Sequence, residues 1–478
     1  MDTASFQFVA FGLAVALVSN FSSKRTWRSV VLLLASLIFL SLLAHNPIVL
    51  LPLAGFLLLG YLGMMLLERG LSRSMVWSVL AVILVYVWLK KYSFLPESTF
   101  LHSPYFTLGL SYIFFRVLQL LIESADRGQK RHIGLGAYLL YTLNFTTLVS
   151  GPIQRYDEFA RDQFADVPVP LGSRIIWLQL ERIIRGFFKV NVLAMLFDTV
   201  HVDALAQMSQ PLPKSLMLFA AFKLSLVYPL FLYTNFSGYI DIVIALARLM
   251  GVRLPENFDR PFSAASVIDF WNRWHMTLSN WIKIYVYNPL LVALMRRITS
   301  VKLEPFLGVF CFFVTFFLIG VWHGRTSEFV IFGVLTGGGI SLNKLWQLQL
   351  AKWMGRKRYK VLAGKPVYIA FGRGLNFVWF SFTLFWFWGS WQQIGAAIGG
   401  ISVASWLGIW LAAWLFATAV LALWEALRSL LLSLKTAEGP VLTSRYAQVV
   451  YASVLGLTAF VMTILLNQPA PGIVYRSF

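Results

Sequence analysis

The sequence predicts an all-α integral membrane protein in which many helices cross the bilayer. Of its 478 residues, 58% are hydrophobic and only 13% are charged, and the mean hydropathy is +0.71. Apolar runs of about 16 to 22 residues recur along the chain, and a bilayer core of roughly 30 Å needs about 20 helical residues to cross it. This composition indicates that lipid rather than water is the main solvent of the chain.

We expect about 11 to 13 transmembrane helices in a multi-span bundle. The first apolar run is taken as a span, because only Asp2 precedes it where a cleaved signal would carry basic residues. The candidate spans are 5–20, 28–43, 47–67, 74–90, 105–122, 133–150, 178–199, 215–235, 305–322, 327–347, 369–390, 404–427 and 446–466.

The charge pattern predicts how the chain is oriented. Lys and Arg number 40 against 20 Asp and Glu, and they occur in loops between spans, whereas the turns at 44–47 and 391–403 have none. The positive-inside rule therefore places the N-terminus outside, although Lys90 and Lys91 depart from the alternation. Because no single basic face forms, nucleic acid is not an expected partner. The basic clusters are Lys24, Arg25, Arg28; Arg69, Arg73; Arg127, Lys130, Arg131; Arg296, Arg297, Lys302; and Lys352, Arg356, Lys357, Arg358, Lys360.

The sequence predicts a single domain over residues 1–478. The polar break at 351–366 is its strongest boundary, yet apolar spans of the same composition lie on both sides. Two other stretches, 151–190 and 236–290, are too polar to cross a bilayer and too apolar to be solvated loops. Backbone of that kind is tolerated at membrane depth only where protein shields it or a cavity adjoins it, so these stretches are expected to form a site.

Within the second stretch the pattern predicts a helix over about 267–288. Ser266 followed by Asp269 resembles a capping box, and Pro289 closes the run. An aromatic face and a polar face alternate along it, which is typical of an interfacial helix and needs no chemistry by itself. The predicted apolar face is Trp271, Trp274, His275, Leu278, Trp281, Ile282 and Tyr285; the other is Asn272, Arg273, Met276, Ser279, Asn280 and Lys283.

Two of the six histidines stand out. His45, His102, His132 and His201 are expected at loops or helix ends beside water, whereas His275 lies in the aromatic helix and His323 ends an apolar run. A neutral imidazole is the form that burial favours, and it can also take a proton from a hydroxyl. A packed histidine explains His323 taken alone equally well. No HExxH, GxSxG or P-loop pattern is present, Cys311 is expected to be a packing residue, and no metal site is predicted.

Several motifs in a fixed order resemble the membrane-bound O-acyltransferase family, particularly its bacterial alginate O-acetyltransferase branch. The resemblance is dense over 105–347. The motifs are Leu148-Val149-Ser150-Gly151-Pro152-Ile153-Gln154-Arg155-Tyr156, Phe236-Ser237-Gly238-Tyr239-Ile240-Asp241, Leu254-Pro255-Glu256-Asn257-Phe258, Phe270-Trp271-Asn272-Arg273-Trp274-His275, Val321-Trp322-His323-Gly324 and the closing Tyr475-Arg476-Ser477-Phe478.

The resemblance implies a helical shell with re-entrant and interfacial helices around a central tunnel in a bacterial inner membrane. His323 matches the family's general base and His275 its second histidine. The donor would be acetyl-CoA or another acyl thioester on the cytoplasmic side, with no permanently bound cofactor. The acceptor would be a polysaccharide, reached through an SGNH-hydrolase-like relay partner. Trp322, Arg273, Trp274, Trp271, Asn257 and Lys283 are the predicted donor-binding or tunnel-lining residues.

Alternatives remain at this point. Within the family, D-alanyl transfer from a carrier protein to teichoic acid is possible. Outside it, a secondary transporter would show inverted repeats with matching broken helices, but the motifs occur only in the middle of the chain. A polyprenyl-linked glycosyltransferase would need a metal, for which Asp157, Glu158 and Asp162 form the nearest acidic cluster. Arg273 and Lys283 could instead meet lipid headgroups, and Asn257 and Asp241 could be structural.

Overall fold

A computed structural model describes residues 5–44, 46–71, 73–125, 132–436, 439–440, 444–466, 471–472 and 474. His45, the basic residues Arg127, Lys130 and Arg131, and the closing Tyr475-Arg476-Ser477-Phe478 motif lie outside these described residues.

Apart from two short paired strands, the regular secondary structure of the described residues is helical. Its α-helices are α1 (Phe6–Ser19), α2 (Arg25–Leu43), α3 (Leu51–Glu68), α4 (Ser74–Leu89), α5 (Leu110–Ser124), α6 (Leu135–Thr142), α7 (Phe145–Leu148), α8 (Tyr156–Gln163), α9 (Ser173–Phe188), α10 (Met195–Met208), α11 (Lys214–Leu249), α12 (Val267–Trp271), α13 (Met276–Ile282), α14 (Asn288–Arg297), α15 (Glu304–His323), α16 (Ser327–Met354), α17 (Arg356–Ala363), α18 (Pro366–Thr383), α19 (Phe385–Trp388), α20 (Trp391–Gly399), α21 (Val403–Ser433) and α22 (Arg445–Leu466).

Shorter elements join these helices. Single 3₁₀ turns occur at Pro47–Leu50, Glu97–Thr99 and Pro261–Ser263, and π-helical turns at Lys189–Ala194 and Lys283–Tyr287. The strands β1 (Lys435–Thr436) and β2 (Gly439–Pro440) pair antiparallel, with Lys435 opposite Pro440.

The predicted class, an all-α multi-span membrane protein, is confirmed. In the described part of the chain, seven helices are long and apolar enough to cross a bilayer, and α1 and α4 are shorter apolar helices. The seven are 25–43, 47–68, 214–249, 304–323, 327–354, 403–433 and 446–465. The polar break at 351–366 contains the end of α16 and the short, mostly exposed α17.

Several predicted spans have different limits in the structure; α5, for example, begins at Leu110, and the span 369–390 is divided between α18 and α19. The span 133–150 is wrong as a continuous helix, because α6 ends at Thr142 and Asn144 caps the separate α7 by accepting from Thr146 N. The span 178–199 is the middle of a longer helical run from Ser173 to Met208 that contains a π-helical turn. The span 215–235 was ended too early, since α11 continues to Leu249 through residues assigned to a non-spanning stretch.

The chain forms two compact units. The first comprises Met1–Phe187, Phe236–Glu256 and Gly472–Phe478. The second comprises Phe188–Asn235 and Asn257–Pro471. The assignment of residues 1–478 to a single domain stays a prediction.

In the first unit, buried polar side chains hold breaks in the helices. The Arg116 side chain is 2% exposed and donates to three backbone carbonyls around the α6–α7 break, those of Tyr141, Thr142 and Thr147. Asp162 is also buried and pairs with Arg253. Arg116 donates to carbonyls that have no intrahelical donor because the helix is broken. The guanidinium of Arg253 compensates the charge of the buried Asp162 carboxylate.

Charged residues of the first unit also form a compact network. Arg182 donates from Nε to Asp241 at 2.9 Å and from Nη1 to Glu256 at 2.7 Å. Arg185 donates to Asp241 at 3.5 Å and to Glu181 at 3.1 Å. These contacts give Asp241 the structural, helix-linking position that its sequence context allowed.

The second unit is built around the antiparallel hairpin of α15 and α16. Its two helices approach closely where glycines face each other, because a Cβ added to Gly320 would lie 2.1 Å from Gly333 Cα. A β-carbon at Gly333 would likewise lie 2.7 Å from the Phe317 carbonyl oxygen. The hairpin therefore requires small residues at this crossing. It presents His323 at the end of α15.

Candidate active site

His323 is the last residue of α15 and is almost completely enclosed. His323 is only 2% exposed. The ring centroid lies 4.8 Å from that of Trp322, 5.3 Å from Phe387 and 5.8 Å from Phe332. The following residue, Gly324, is extended, with φ −162°, so the helix ends directly at the imidazole. Aromatic packing therefore fixes the position of this ring.

His275 lies in a turn rather than in a continuous helix. The predicted helix over 267–288 is wrong in this respect, because α12 ends at Trp271 and α13 begins at Met276. His275 adopts a left-handed conformation with φ 43°, which costs a non-glycine residue about 1 kcal/mol or more. Sequence periodicity missed the break, since buried residues continue at helical spacing on both sides of it. Ser266 does cap α12 as predicted, accepting from Asp269 N.

Asn257 is the residue that holds this turn. Its side-chain Oδ1 accepts three hydrogen bonds, from Thr277 N at 3.1 Å, Thr277 Oγ1 at 2.8 Å and His275 Nδ1 at 3.2 Å. Its backbone carbonyl also accepts from Met276 N at 3.0 Å. Asn257 is fully buried, so these bonds form away from solvent. Asn257 precedes His275 by 18 positions, so these bonds join the His275 turn to an earlier segment of the chain.

The same contacts determine which nitrogen of His275 carries the proton. A backbone N–H can only donate, so the Asn257 atom that accepts from Thr277 N must be the oxygen. His275 Nδ1 consequently donates to that oxygen, and Nε2 carries the lone pair of the neutral ring. Burial lowers the pKa of the His275 imidazole to about 3, which keeps it neutral.

The two histidines selected from the sequence belong to the same site. They lie 48 positions apart in sequence, and α12, which precedes the His275 turn, packs against α15 through Trp271 and Phe316. Both residues are at most 2% exposed. The arrangement provides two neutral proton acceptors in an apolar enclosure.

Aromatic side chains form the walls near His275. Trp274 is 1% exposed and packs 5.6 Å from Phe270 in a stacked geometry and 4.9 Å from Phe380. Trp271 lies 5.0 Å from Phe316 of α15, so α12 packs against the helix that ends in His323. The buried residues of 267–288 follow the predicted apolar face even though the helix is broken. The aromatic packing rigidly supports the His275 turn.

The two cationic residues predicted to bind the donor, Arg273 and Lys283, have different surroundings. Arg273 donates from Nε to Asp269 at 2.9 Å and lies 3.6 Å from Asp259, so two carboxylates already compensate its charge. Lys283 is exposed on the π-helical turn. A role for either residue in binding a donor stays a prediction.

The other described histidines differ in how exposed they are. His102 and His132 are exposed, as expected, and His132 Nδ1 lies 2.8 Å from Glu68. The prediction that His201 lies beside water is wrong: it is 6% exposed and packs 4.9 Å from the Tyr228 ring and 4.8 Å from the Trp388 ring. Thr277 and Phe387, which support the two site histidines, were also not selected from the sequence.

A buried amide nitrogen adjoins the site. Among the residues that the structure describes, Asn257 Nδ2 has no hydrogen-bond partner, although its Oδ1 is fully engaged. A buried N–H group destabilises the fold unless another group accepts a hydrogen bond from it. Asn257 Nδ2 is therefore a hydrogen-bond donor next to the His275 turn that no described residue uses. The described residues include no cluster of three or more His, Cys, Asp and Glu side chains that could hold a metal ion.

Comparison of the sequence with protein families agrees with this arrangement. The sequence model of the membrane-bound O-acyltransferase family matches residues 40–382, which includes both histidines of the site.

The chain belongs to the membrane-bound O-acyltransferase family.

Curated relatives of this membrane-bound O-acyltransferase act on different envelope polymers. This chain is 29% identical over 315 residues to a teichoic acid D-alanyltransferase of Bacillus subtilis (strain 168), and the match covers 64% of this chain and 76% of that protein. It is 34% identical over 210 residues to a peptidoglycan O-acetyltransferase of Helicobacter pylori, covering 44% of this chain and 37% of the relative. It is 27% identical over 349 residues to "Probable alginate O-acetylase AlgI" of Pseudomonas fluorescens, covering 72% and 66% respectively.

Family membership confirms the predicted enzyme class, an O-acyltransferase embedded in a membrane. It decides against the transporter and glycosyltransferase alternatives, since neither belongs to this family. The relatives differ in the acyl group and in the polymer that receives it, so membership alone does not select either. The central tunnel and the roles of the individual site residues stay predictions.

Proposed function

We propose that this membrane-bound O-acyltransferase moves an acetyl group from a cytoplasmic thioester donor toward a hydroxyl of a cell-envelope or secreted polysaccharide, with His323 as general base. The observation that carries the proposal is the enclosed His323 at the end of α15, the helix against which α12 packs just before the tethered His275 turn. A neutral imidazole in an enclosed aromatic site is suited to accept a proton from a hydroxyl.

The proposed reaction begins with an acceptor hydroxyl at His323. The imidazole accepts the hydroxyl proton while the oxygen attacks the thioester carbonyl carbon, giving a tetrahedral intermediate. The carbon–sulfur bond then breaks, and the departing thiolate takes the proton from the His323 imidazolium. The atoms balance without a metal or an oxidant. General-base assistance contributes typically about 10²–10⁴-fold, so positioning of donor and acceptor supplies much of the remaining acceleration.

In this scheme His275 and Asn257 act on the thioester carbonyl. We assign the Asn257 Nδ2 group, which has no hydrogen-bond partner within the described ranges, as a donor to the oxygen that becomes negatively charged. His275 orients the donor beside it. A preorganised donor aimed at a developing oxyanion stabilises the transition state more than the ground state. Trp271, Trp274 and Trp322 would line the passage of the donor and keep water from it.

The identity of the acyl group has two candidates. The relatives named as an O-acetyltransferase and an O-acetylase favour acetyl, for which we propose acetyl-CoA as donor. The relatives named teichoic acid D-alanyltransferase favour D-alanyl, for which we propose a carrier-protein thioester. Both use a thioester, so the same His323 chemistry serves either. We propose acetyl as the first candidate and D-alanyl as the second, and no permanently bound cofactor is required in either case.

The acceptor end of the reaction is proposed to need a partner. A relay protein of the SGNH-hydrolase type would receive the acyl group on a serine or threonine and pass it to the polysaccharide. The site lies in a unit whose longest helices are membrane spans, and a polymer needs a carrier to reach such a site. Deleting the partner's gene should stop polymer acylation, and thioester cleavage should fall with it, because the partner's hydroxyl is the acceptor of the first transfer.

The location is proposed to be a bacterial cytoplasmic membrane with the N-terminus outside. Cys311 is buried, so a variant lacking it can carry single reporter cysteines elsewhere. A cysteine at Lys24 should react with a membrane-impermeant maleimide only after cells are opened, and one at Ser402 should react in intact cells. The opposite pattern would reverse the orientation.

The catalytic assignment is tested by replacing His323. Membranes containing the wild type, His323→Ala or His323→Gln are supplied with labelled acetyl-CoA, and label in envelope polysaccharide is counted. A parallel set receives labelled D-alanine charged onto its carrier protein. We expect both variants to transfer the acyl group about 10²–10⁴-fold more slowly with whichever donor the wild type uses.

His102→Ala is the matched control, because His102 is exposed and belongs to the first unit. It should transfer at the wild-type rate. Each variant is also purified in detergent and checked for monodispersity, so that loss of activity is separated from loss of fold. Near-normal transfer by a monodisperse His323→Gln enzyme would disprove the general-base role.

A further inference from the structure

A large cavity lies in the second unit outside the candidate active site. Its volume is about 1460 Å³, and its walls come from the start of α12, the start of α15, the second half of α16, and α18 and α21. Pockets for drug-sized ligands usually measure about 300–1,000 Å³, so this cavity is large enough for a bigger molecule. None of the site residues selected above contributes to its lining. We call it the α16–α18 groove.

The groove narrows where its two main helices meet. A Cβ added to Gly339 of α16 would lie 2.1 Å from the indole nitrogen of Trp379 in α18, so the helices are in contact there. About two turns further along, Trp346 and Tyr368 face each other, and Trp346 Nε1 donates to the Tyr368 hydroxyl at 3.4 Å. The groove is thus closed at the Gly339 end and widens toward the ends of the helices that flank α17.

The groove opens sideways on the surface of the membrane-spanning helices. Several large apolar residues that line it are substantially exposed; they are Phe306 54%, Leu342 63%, Trp346 56%, Phe371 41% and Leu375 55%. On the spanning helices α15 and α16 such side chains meet hydrocarbon rather than water, and Phe371 and Leu375 of the adjacent α18 continue the same apolar wall. The occupant of the groove can therefore enter from the lipid phase, and most of it must be apolar.

Two cations lie at the wide end. Ser341 Oγ donates to the Val309 carbonyl at 3.0 Å, and this antiparallel register brings Lys302, just before α15, level with the last turns of α16. Lys352 lies in that last turn, and both lysines line the groove. Neither has an ion-pair partner among the residues that the structure describes. The wide end consequently carries two uncompensated positive charges next to an apolar wall.

We propose that the α16–α18 groove binds one anionic phospholipid. Its phosphate would be held by Lys302 and Lys352, and its acyl chains would lie along Leu342, Phe371 and Leu375. Basic pockets between spanning helices bind anionic lipid headgroups, and tryptophan and tyrosine prefer the level of the headgroups, as Trp346 and Tyr368 would here. A soluble nucleotide thioester has polar groups along most of its length, which an apolar wall open to hydrocarbon does not match. This proposal does not depend on the proposed acyl transfer.

The proposal is tested by native mass spectrometry of the purified full chain with added phosphatidylglycerol. The double variant Lys302→Gln with Lys352→Gln is compared with Lys344→Gln, whose lysine lies on the same helix but does not line the groove. Each cation near a phosphate contributes about fivefold to affinity, so the double variant should bind about 30-fold more weakly. Lys344→Gln should bind as the wild type does.

A second variant tests the apolar part of the groove. Leu375→Trp adds bulk to the exposed wall and should lower the retained phosphatidylglycerol while leaving both lysines in place. Three results would overturn the proposal. They are equal retention by the wild type and both groove variants, equal affinity for phosphatidylcholine, and displacement of the lipid by coenzyme A with the same dependence on the two lysines. The last result would indicate a soluble donor site instead.

Discussion

Replacing Asn257 with alanine should disturb both the stability of the second unit and the proposed chemistry. The change removes the single oxygen that accepts from Thr277 N, Thr277 Oγ1 and His275 Nδ1. A buried hydrogen bond contributes about 1 kcal/mol net, so the three together amount to about 3 kcal/mol. If that free energy serves to hold His275 in its left-handed turn, its loss corresponds to about 10²-fold in rate.

The assay compares the rate of acyl transfer with the midpoint of thermal unfolding in detergent. Asn257→Asp keeps an oxygen at the accepting position but loses the Nδ2 donor, so its unfolding midpoint should be closer to the wild type than that of Asn257→Ala. Its transfer rate should remain low if Nδ2 contacts the substrate. Asn272→Ala serves as the control, because Asn272 is exposed on the same segment. Wild-type transfer and unchanged unfolding in Asn257→Ala would refute the reasoning.

Three other changes probe the packing within the two units. Arg116→Met should lower the free energy of unfolding by about 3–5 kcal/mol, because three buried carbonyls lose their donor; thermal unfolding measures this, and no change would contradict it. Asp162→Asn should unfold at lower temperature than the wild type at pH 7. Burial acts to raise the pKa of Asp162, but Arg253 lowers it below 3.8 overall, so the ion pair stabilises the fold above that pH and the difference should vanish as the pH falls through the lowered pKa. Gly333→Ala should cost about 1–3 kcal/mol and reduce transfer, because its Cβ would overlap the Phe317 carbonyl; wild-type yield and activity would show that the α15–α16 crossing adapts.

Helices of uniform composition were predictable, and their interruptions were not. Hydrophobic runs such as 304–323 and 327–354 satisfy the length requirement of a bilayer by themselves. The break between α6 and α7 depends on Arg116, which lies on a different helix and supplies the donors that a continuous helix would have provided. Hydropathy measures the cost of placing residues in lipid but contains no information about such a distant donor.

The same distinction applies to the histidines. His275 and His323 were selected because an imidazole within apolar sequence is unusual, and both are buried. His201 has weaker local signals and was assigned to a solvent-exposed position, yet it is buried against Tyr228 and Trp388. Its burial depends on a ring contributed by a residue 187 positions away, which local sequence does not reveal.

The sequence by itself determined the membrane class, the approximate positions of most spans, the family and the two histidines, because these follow from local composition and from short motifs. Only the tertiary structure decided that the aromatic segment is broken at His275, that Asn257 fixes the turn and the tautomer, and that α16 and α18 part to leave a groove with two lysines at its mouth. Each of these depends on hydrogen bonds or side-chain volumes that join residues far apart in the chain, and such contacts exist only once the helices are packed.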